Sequence, residues 1–230
     1  PYTTLFRSHA PTPELAHHHQ GRVDVFTPIV KGWLTELAQE VTSLGVQIHG
    51  GMGFIEETGA AQHYRDARIL TIYEGTTGIQ ALDLVGRKTL LNQGALLNSL
   101  LEEMDQTVEQ LRHIDALDYQ AVALAAALGA GREALSRLLD NAKHDADWAG
   151  SVSVNFLMLF GYLSGGWLMA RSALQAHAQL QAGTGDAAFL KTKGVSARFY
   201  AEQLLPRVHA LLAAISAGSA SIMALDEEQF

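Results

Sequence analysis

The sequence predicts an all-α fold, and three observations carry that reading. Apolar residues recur at spacings of three and four along most of the 230-residue chain, which is the period of one helix face. Residues suited to capping and starting a helix, such as Thr27-Pro28 and Thr76-Thr77, stand just before those stripes. No stretch shows a convincing alternation of strand residues. Stripes of this kind are buried by packing helix on helix, so a helical bundle is expected.

The elements follow in order. Residues 1–25 read as a poorly specified leader that holds three of the five prolines and the run His17-His18-His19. Adjacent histidines do not share a helix face, so the triplet reads as a solvated segment and not as a metal site. Thr27 is the expected N-cap of a first helix, with Pro28 at its first position. Its stripe is Val30, Trp33, Leu34, Leu37, Val41, Leu44 and Ile48, and the glycines of Gly50-Gly51-Met52-Gly53 end it. A short helix is expected around Ala60–Arg65. The next one, capped by Thr76 or Thr77, carries Ile79, Leu82, Leu84, Val85 and Leu90 up to a break at Asn92–Gly94. Residues 93–230 then form an additional helical domain behind the domain of residues 26–92. Its stripes are Leu97 to Leu111, Val122 to Leu139, the run 148–170, and Val195 to Ile215, the last kinked at Pro206.

Composition excludes several function classes. The net charge of −8 lacks the basic face that a nucleic-acid backbone requires. With no cysteine there is no disulfide, no thiolate metal site and no cysteine nucleophile, which fits a cytoplasmic, reducing setting. Residues 148–170 carry no charge and are long enough to span a bilayer. Asn155, Ser151, Ser153, Ser164 and four glycines dilute that run, so a buried helix is expected and not a membrane span. In such a helix Asn155 and the serines would bond within the bundle, and Gly161, Gly165 and Gly166 would let neighbours approach closely.

Two runs can carry chemistry. In Gln47-Ile48-His49-Gly50-Gly51-Met52-Gly53, the glycines are either a plain helix end or a place where a ligand meets the backbone. They do not match the spacing of a dinucleotide-binding turn. In Ile72-Tyr73-Glu74-Gly75-Thr76-Thr77-Gly78-Ile79-Gln80, Glu74 either favours a helix N-terminus or is a base in a tight loop. In the second case Ile72 and Tyr73 would exclude water from its carboxylate and Gly75 would admit a substrate.

These runs, with Tyr64-Arg65-Asp66-Ala67-Arg68-Ile69 between them, resemble the C-terminal helical domain of the acyl-CoA dehydrogenases in order and spacing. Residues from Ser196 to Pro206 and from Ser221 to Leu225 are similar to the helical tail of the family's long branch, the broad-specificity and 3-methylmercaptopropionyl-CoA type. The resemblance implies a homo-oligomeric, FAD-dependent enzyme of fatty acid metabolism, serving an electron-transfer flavoprotein or similar acceptor. Glu74 would be the base that takes the α-proton of an acyl-CoA, with its backbone N–H on the thioester carbonyl. Tyr73 and Gly75 would contact substrate. Gln47, Ile48, His49, Gly50 and Gly51 would touch FAD, typically across a subunit boundary, as would Thr76, Thr77 and Gly78. Arg65, Asp66 and Arg68 read as a structural charge network. The family's β-domain has no counterpart before Phe26, so the chain is expected to be a C-terminal piece, inactive alone. The competing expectation is a stand-alone helical interaction module with a dehydrogenase-like surface and no chemistry.

Overall fold

The computed structural model describes residues 6–229; residues 1–5 of the expected leader lie outside them. The described residues form helices and turns with no strand.

Helix α1 spans Pro13–Ile48 and so begins well before Pro28. The cap is Thr12, whose Oγ1 accepts the Leu15 N–H at 3.3 Å, and Pro13 takes the first position. The same Thr-Pro pair occurs twice, and the helix uses the earlier one. Pro28 therefore lies inside α1, where the helix loses an N–H. Thr27, read as a cap, instead donates its hydroxyl to the Val23 carbonyl at 2.7 Å.

Residues 13–25, placed by the sequence in an unspecified leader, are thus helical. They are held by Arg22, which is 5% exposed. Its guanidinium donates to Glu103 at 2.9 Å and to the Ser99 carbonyl at 2.9 Å.

Short helices α2 (Gly51–Phe54) and α3 (Ala60–Arg68) follow, then α4 (Thr77–Gly86). Gln93 and Gly94, both at positive φ, break the chain before the second group of helices. That group is α5 (Ala95–Arg112), α6 (Asp118–Asn141), α7 (Trp148–Gln181), α8 (Ala187–Phe199) and α9 (Arg207–Ala217). The expected single last helix is divided. A π turn over Tyr200–Leu204 intervenes, and Pro206 stands at the cap of α9.

The core sits around α7, which packs against α1, α4, α6, α8 and α9. Phe156, Leu157, Leu159, Phe160 and Leu163 on it are fully buried. Helix α7 has the length and composition to cross a membrane, yet 72% of its most apolar window is buried inside the fold. Neighbouring helices therefore account for its apolar character without lipid.

Its glycines mark the close approaches. Trp33 of α1 lies on Gly161, and Tyr200 lies on Gly165. A Cβ at Gly166 would stand 2.7 Å from Leu205. Ser153 donates to the Gly150 carbonyl at 2.8 Å, whereas the buried Ser164 hydroxyl, expected to bond within the bundle, has no partner.

The first stripe departs most from expectation. Trp33 is buried and Leu37 packs on the core, but Val30, Leu34, Val41, Leu44 and Ile48 are exposed, Ile48 to 84%. Val122 likewise faces out from α6.

Candidate active site

The Ile72–Gln80 run forms the entry to α4. Below it, Ile69–Thr71 makes one 3-10 turn, and the Tyr73 N–H donates to the Ile69 carbonyl at 3.2 Å. Glu74 then turns to φ 54° and Gly75 to φ 89°. For a residue with a Cβ this left-handed conformation costs on the order of 1–3 kcal/mol, and such strain gathers at functional sites. Thr76 returns to extended backbone, and its hydroxyl oxygen caps α4 by accepting the Ile79 N–H at 3.4 Å.

Two side chains hold this turn. The Gln80 amide donates to the Glu74 carbonyl at 3.3 Å. Thr77 donates its hydroxyl to Glu36 of α1 at 2.6 Å. Gly75 is favoured by its φ of 89°, and a Cβ there would stand 2.9 Å from the movable end of the Gln80 side chain. Among the described residues, no protein acceptor takes the N–H of Glu74 or of Gly75. The turn therefore offers an unpaired N–H beside a carboxylate.

The carboxylate is exposed, and so are its expected shields: Ile72 is 48% and Tyr73 46% exposed. Contrary to the expectation from the sequence, Ile72 and Tyr73 do not exclude water from Glu74. Beneath Tyr73 lies Lys31 of α1, its Nζ 6.0 Å from the ring centre, buried and without a hydrogen-bond partner. Periodicity gives no reason to single out Lys31, because a lysine between apolar stripe positions reads as solvated.

The glycine run closes α1. His49 takes the cap position and its Nδ1–H donates to the Gly45 carbonyl at 2.8 Å. Gly50 turns to φ 61°. Gln47, Ile48, Gly50 and Gly51 are exposed, and around Gly50 and Gly51 the space a Cβ would take is open. Gly53 differs: a Cβ there would collide with the Val46 carbonyl, so this glycine serves packing.

Arg65 pairs with both Glu56 oxygens at 2.7 Å, Arg68 bonds Thr71, and the Gln39 amide donates to the Ala67 carbonyl at 2.6 Å. These bonds fasten α3 to its neighbours and leave Arg65 and Arg68 outside the Glu74 turn. The described residues contain no His/Asp/Glu cluster able to hold a metal.

The two runs are not brought into one cluster. Thr77 docks beside Glu36, and Gln47 lies further along the same helix. At about 1.5 Å per residue that is roughly 16 Å along the axis.

The chain is similar in sequence to proteins of known family. Residues 12–89 match the model of the acyl-CoA dehydrogenase C-terminal domain. Residues 100–226 match that of the acetyl-CoA dehydrogenase C-terminal-like domain. The chain is 50% identical to a 3-methylmercaptopropionyl-CoA dehydrogenase of Ruegeria pomeroyi, over 81% of this chain and 32% of that protein. It is 34% identical to a broad-specificity linear acyl-CoA dehydrogenase of Mycobacterium tuberculosis, over 100% of this chain and 39% of that protein. Over 25% of this chain and 15% of its own length, a caffeyl-CoA reductase-Etf complex subunit of Acetobacterium woodii is 41% identical. The chain thus spans about a third of the length of the first two relatives. Two family models divide between them nearly the whole of an all-α chain, and the chain belongs to the acyl-CoA dehydrogenase family.

Proposed function

We propose that the chain is the C-terminal part of an FAD-dependent acyl-CoA dehydrogenase and supplies its catalytic base, Glu74. The observation that carries this reading is the strained turn. Glu74 sits at φ 54° with an exposed carboxylate, an unpaired backbone N–H and a following glycine at φ 89°. A turn that merely started a helix would need none of these, since Thr76 already caps α4.

In this reading the Glu74 carboxylate takes the α-proton of an acyl-CoA thioester. The Glu74 N–H donates to the thioester carbonyl oxygen as negative charge develops there. Gly75 keeps the approach clear and Tyr73 flanks the acyl chain. FAD, when bound, accepts the β-hydride, and the product is a trans-2-enoyl-CoA.

The residues present fit such a cofactor. Gly50 and Gly51 leave open space at the end of α1, Gln47 is exposed beside them, and Thr76 to Gly78 open α4. The roughly 16 Å between these runs supports their serving flavins in different copies of a homo-oligomer. The same arrangement would cover the exposed stripe of α1 and shield Glu74 from water.

The division near residue 92 is supported by family models that end at residue 89 and resume at residue 100. A relative named as part of an Etf complex supports an electron-transfer flavoprotein as acceptor. A cytoplasmic enzyme of fatty acid metabolism, inactive as this piece alone, is consistent with these features.

The test is Glu74→Gln in an enzyme carrying this chain together with its flavin-binding domain. The amide is nearly isosteric but cannot take the proton. Anaerobic bleaching of the flavin by an acyl-CoA should slow by about 10²–10⁴-fold, with flavin and substrate still bound. Bleaching within a few-fold of the parent rate would remove Glu74 from the base role.

A further inference from the structure

A cleft of about 1020 Å³, with no residue of the Glu74 turn in its lining, opens between the end of α5, the C-terminal half of α7, and α8. Its walls carry Arg171, Lys193 and His113, and no Asp or Glu, in a chain of net charge −8. Most basic residues of this protein are ion-paired, among them Arg22, Arg65, Arg132, Arg137 and Arg207. Arg171 and Lys193 lie instead over aromatic rings. The Arg171 guanidinium is 4.9 Å from the Trp167 ring centre, and the Lys193 ammonium is 5.2 Å from that of Phe189.

The Arg171 platform is rigid. Trp167 is 3% exposed, its Nε1–H donates to Thr107 at 2.8 Å, and Phe26 stacks parallel to it at 6.5 Å. A guanidinium covered on one face by a fixed ring keeps its in-plane N–H fork free for an oxyanion. Beside these cations the wall mixes neutral polar groups, Gln110, Ser172, Gln175 and Gln179, with an apolar strip. Leu168 and Phe189 line it while 50% and 57% exposed, and Ile114 lies with them.

We propose that this cleft binds an amphipathic carboxylate, a fatty-acid anion. Its head pairs with Arg171 and Lys193, and its hydrocarbon tail lies along Leu168, Ile114 and Phe189. Charge complementarity selects the head, because the wall offers cations and no competing carboxylate. Apolar side chains left exposed beside those cations favour a ligand with a tail over a bare anion.

Calorimetric titration of this chain with decanoate tests the proposal, with acetate as the head alone and decanol as the tail alone. Decanoate should bind saturably at one site, and both controls at least about tenfold more weakly. Arg171→Gln on α7 and Lys193→Gln on α8 should each weaken decanoate about tenfold or more. Far-ultraviolet circular dichroism shows whether each variant is folded, and the two positions lie on different helices, so one folded variant suffices. Equal binding of decanol would make the cleft a plain hydrophobic surface, and equal binding of acetate a simple anion site; either overturns the proposal. It also falls if the folded variants bind decanoate as the parent does, or if decanoate does not saturate.

Discussion

The two halves of this chain treat the same kind of sequence pattern in opposite ways. From Ala95 to Leu138 most of the stripe positions close on each other: Leu97, Leu100, Met104, Leu111, Leu124, Leu128 and Leu138 are essentially inaccessible, with Val122 the exception. From Val30 to Phe54 the stripe is open: Leu34, Val41, Leu44, Ile48, Met52 and Phe54 are 44–84% exposed. Both halves have helical periodicity. In the second half the partner helices lie within the chain, whereas in the first the apolar face has no covering element among the described residues. A contiguous exposed apolar face marks an interaction surface. It shares α1 and its immediate C-terminal end with the candidate flavin-contacting run. The half that carries the proposed base is the one whose apolar face is left open.

Four tests probe that contrast. The largest effect on stability is expected in the closed half. Phe160→Ala empties a fully buried position on α7 and should cost about 3–5 kcal/mol in urea unfolding. A loss below about 1 kcal/mol would show that the tail core is looser than its packing implies.

The next effect lies where the halves meet. Trp33 of α1 rests on Gly161 of α7. Gly161→Val should push the helices apart and cost about 1–3 kcal/mol. It should also weaken the joint enough for limited proteolysis to cut α1 sooner.

A smaller effect ties the halves electrostatically. Arg207 of α9 forms a two-bond pair with Glu40 of α1, both bonds near 2.7–2.8 Å, and also donates to Tyr162. The hydrogen bonds from Arg207 hold the Glu40 carboxyl below its ordinary value of 4.5. A lowered folded-state value stabilises the fold above pH 4.5, and that stability is lost as pH falls through the lower folded value. Both side chains are 39% exposed, so solvent screening limits the contribution to under about 1 kcal/mol. Urea midpoints at pH 7 and pH 3 should fall less in Glu40→Gln than in the parent. An equal fall in both would show that the pair does not couple the halves.

The smallest stability effect is expected on the open face. Ile48→Ser and Phe54→Ser remove side chains that are 84% and 82% exposed, and unfolding should change by no more than about 0.5 kcal/mol. Self-association, followed by sedimentation velocity, should nevertheless decrease. Unchanged self-association would detach this face from subunit contacts.

Much of the fold was legible in the residues. Local chemistry points to a short helix around Ala60–Arg65, a cap at Thr76 or Thr77 and a break at Asn92–Gly94; the structure shows a helix over Ala60–Arg68, the cap at Thr76 and positive φ at Gln93 and Gly94. The first helix start was misread because two Thr-Pro pairs offer equal local signals. Only the long-range bonds from Arg22 to α5 reveal that the earlier pair begins a packed helix. The candidate site divides in the same way. Glu74, Gly75 and Thr76 stand out by type and order, but the unpaired Lys31 beneath Tyr73 is visible only once α1 is laid against the turn.

By itself, then, the sequence determined the helical class, a few helix ends and the family-like runs, because capping, periodicity and glycine conformation act over a few residues. Tertiary structure decided which stripes became core. It buried the uncharged α7, turned Leu34, Val41 and Ile48 outward, and gathered Arg171 and Lys193 on one cleft wall. The physical reason is that a stripe's period fixes which residues share a face, while burial depends on whether another surface is there to meet it.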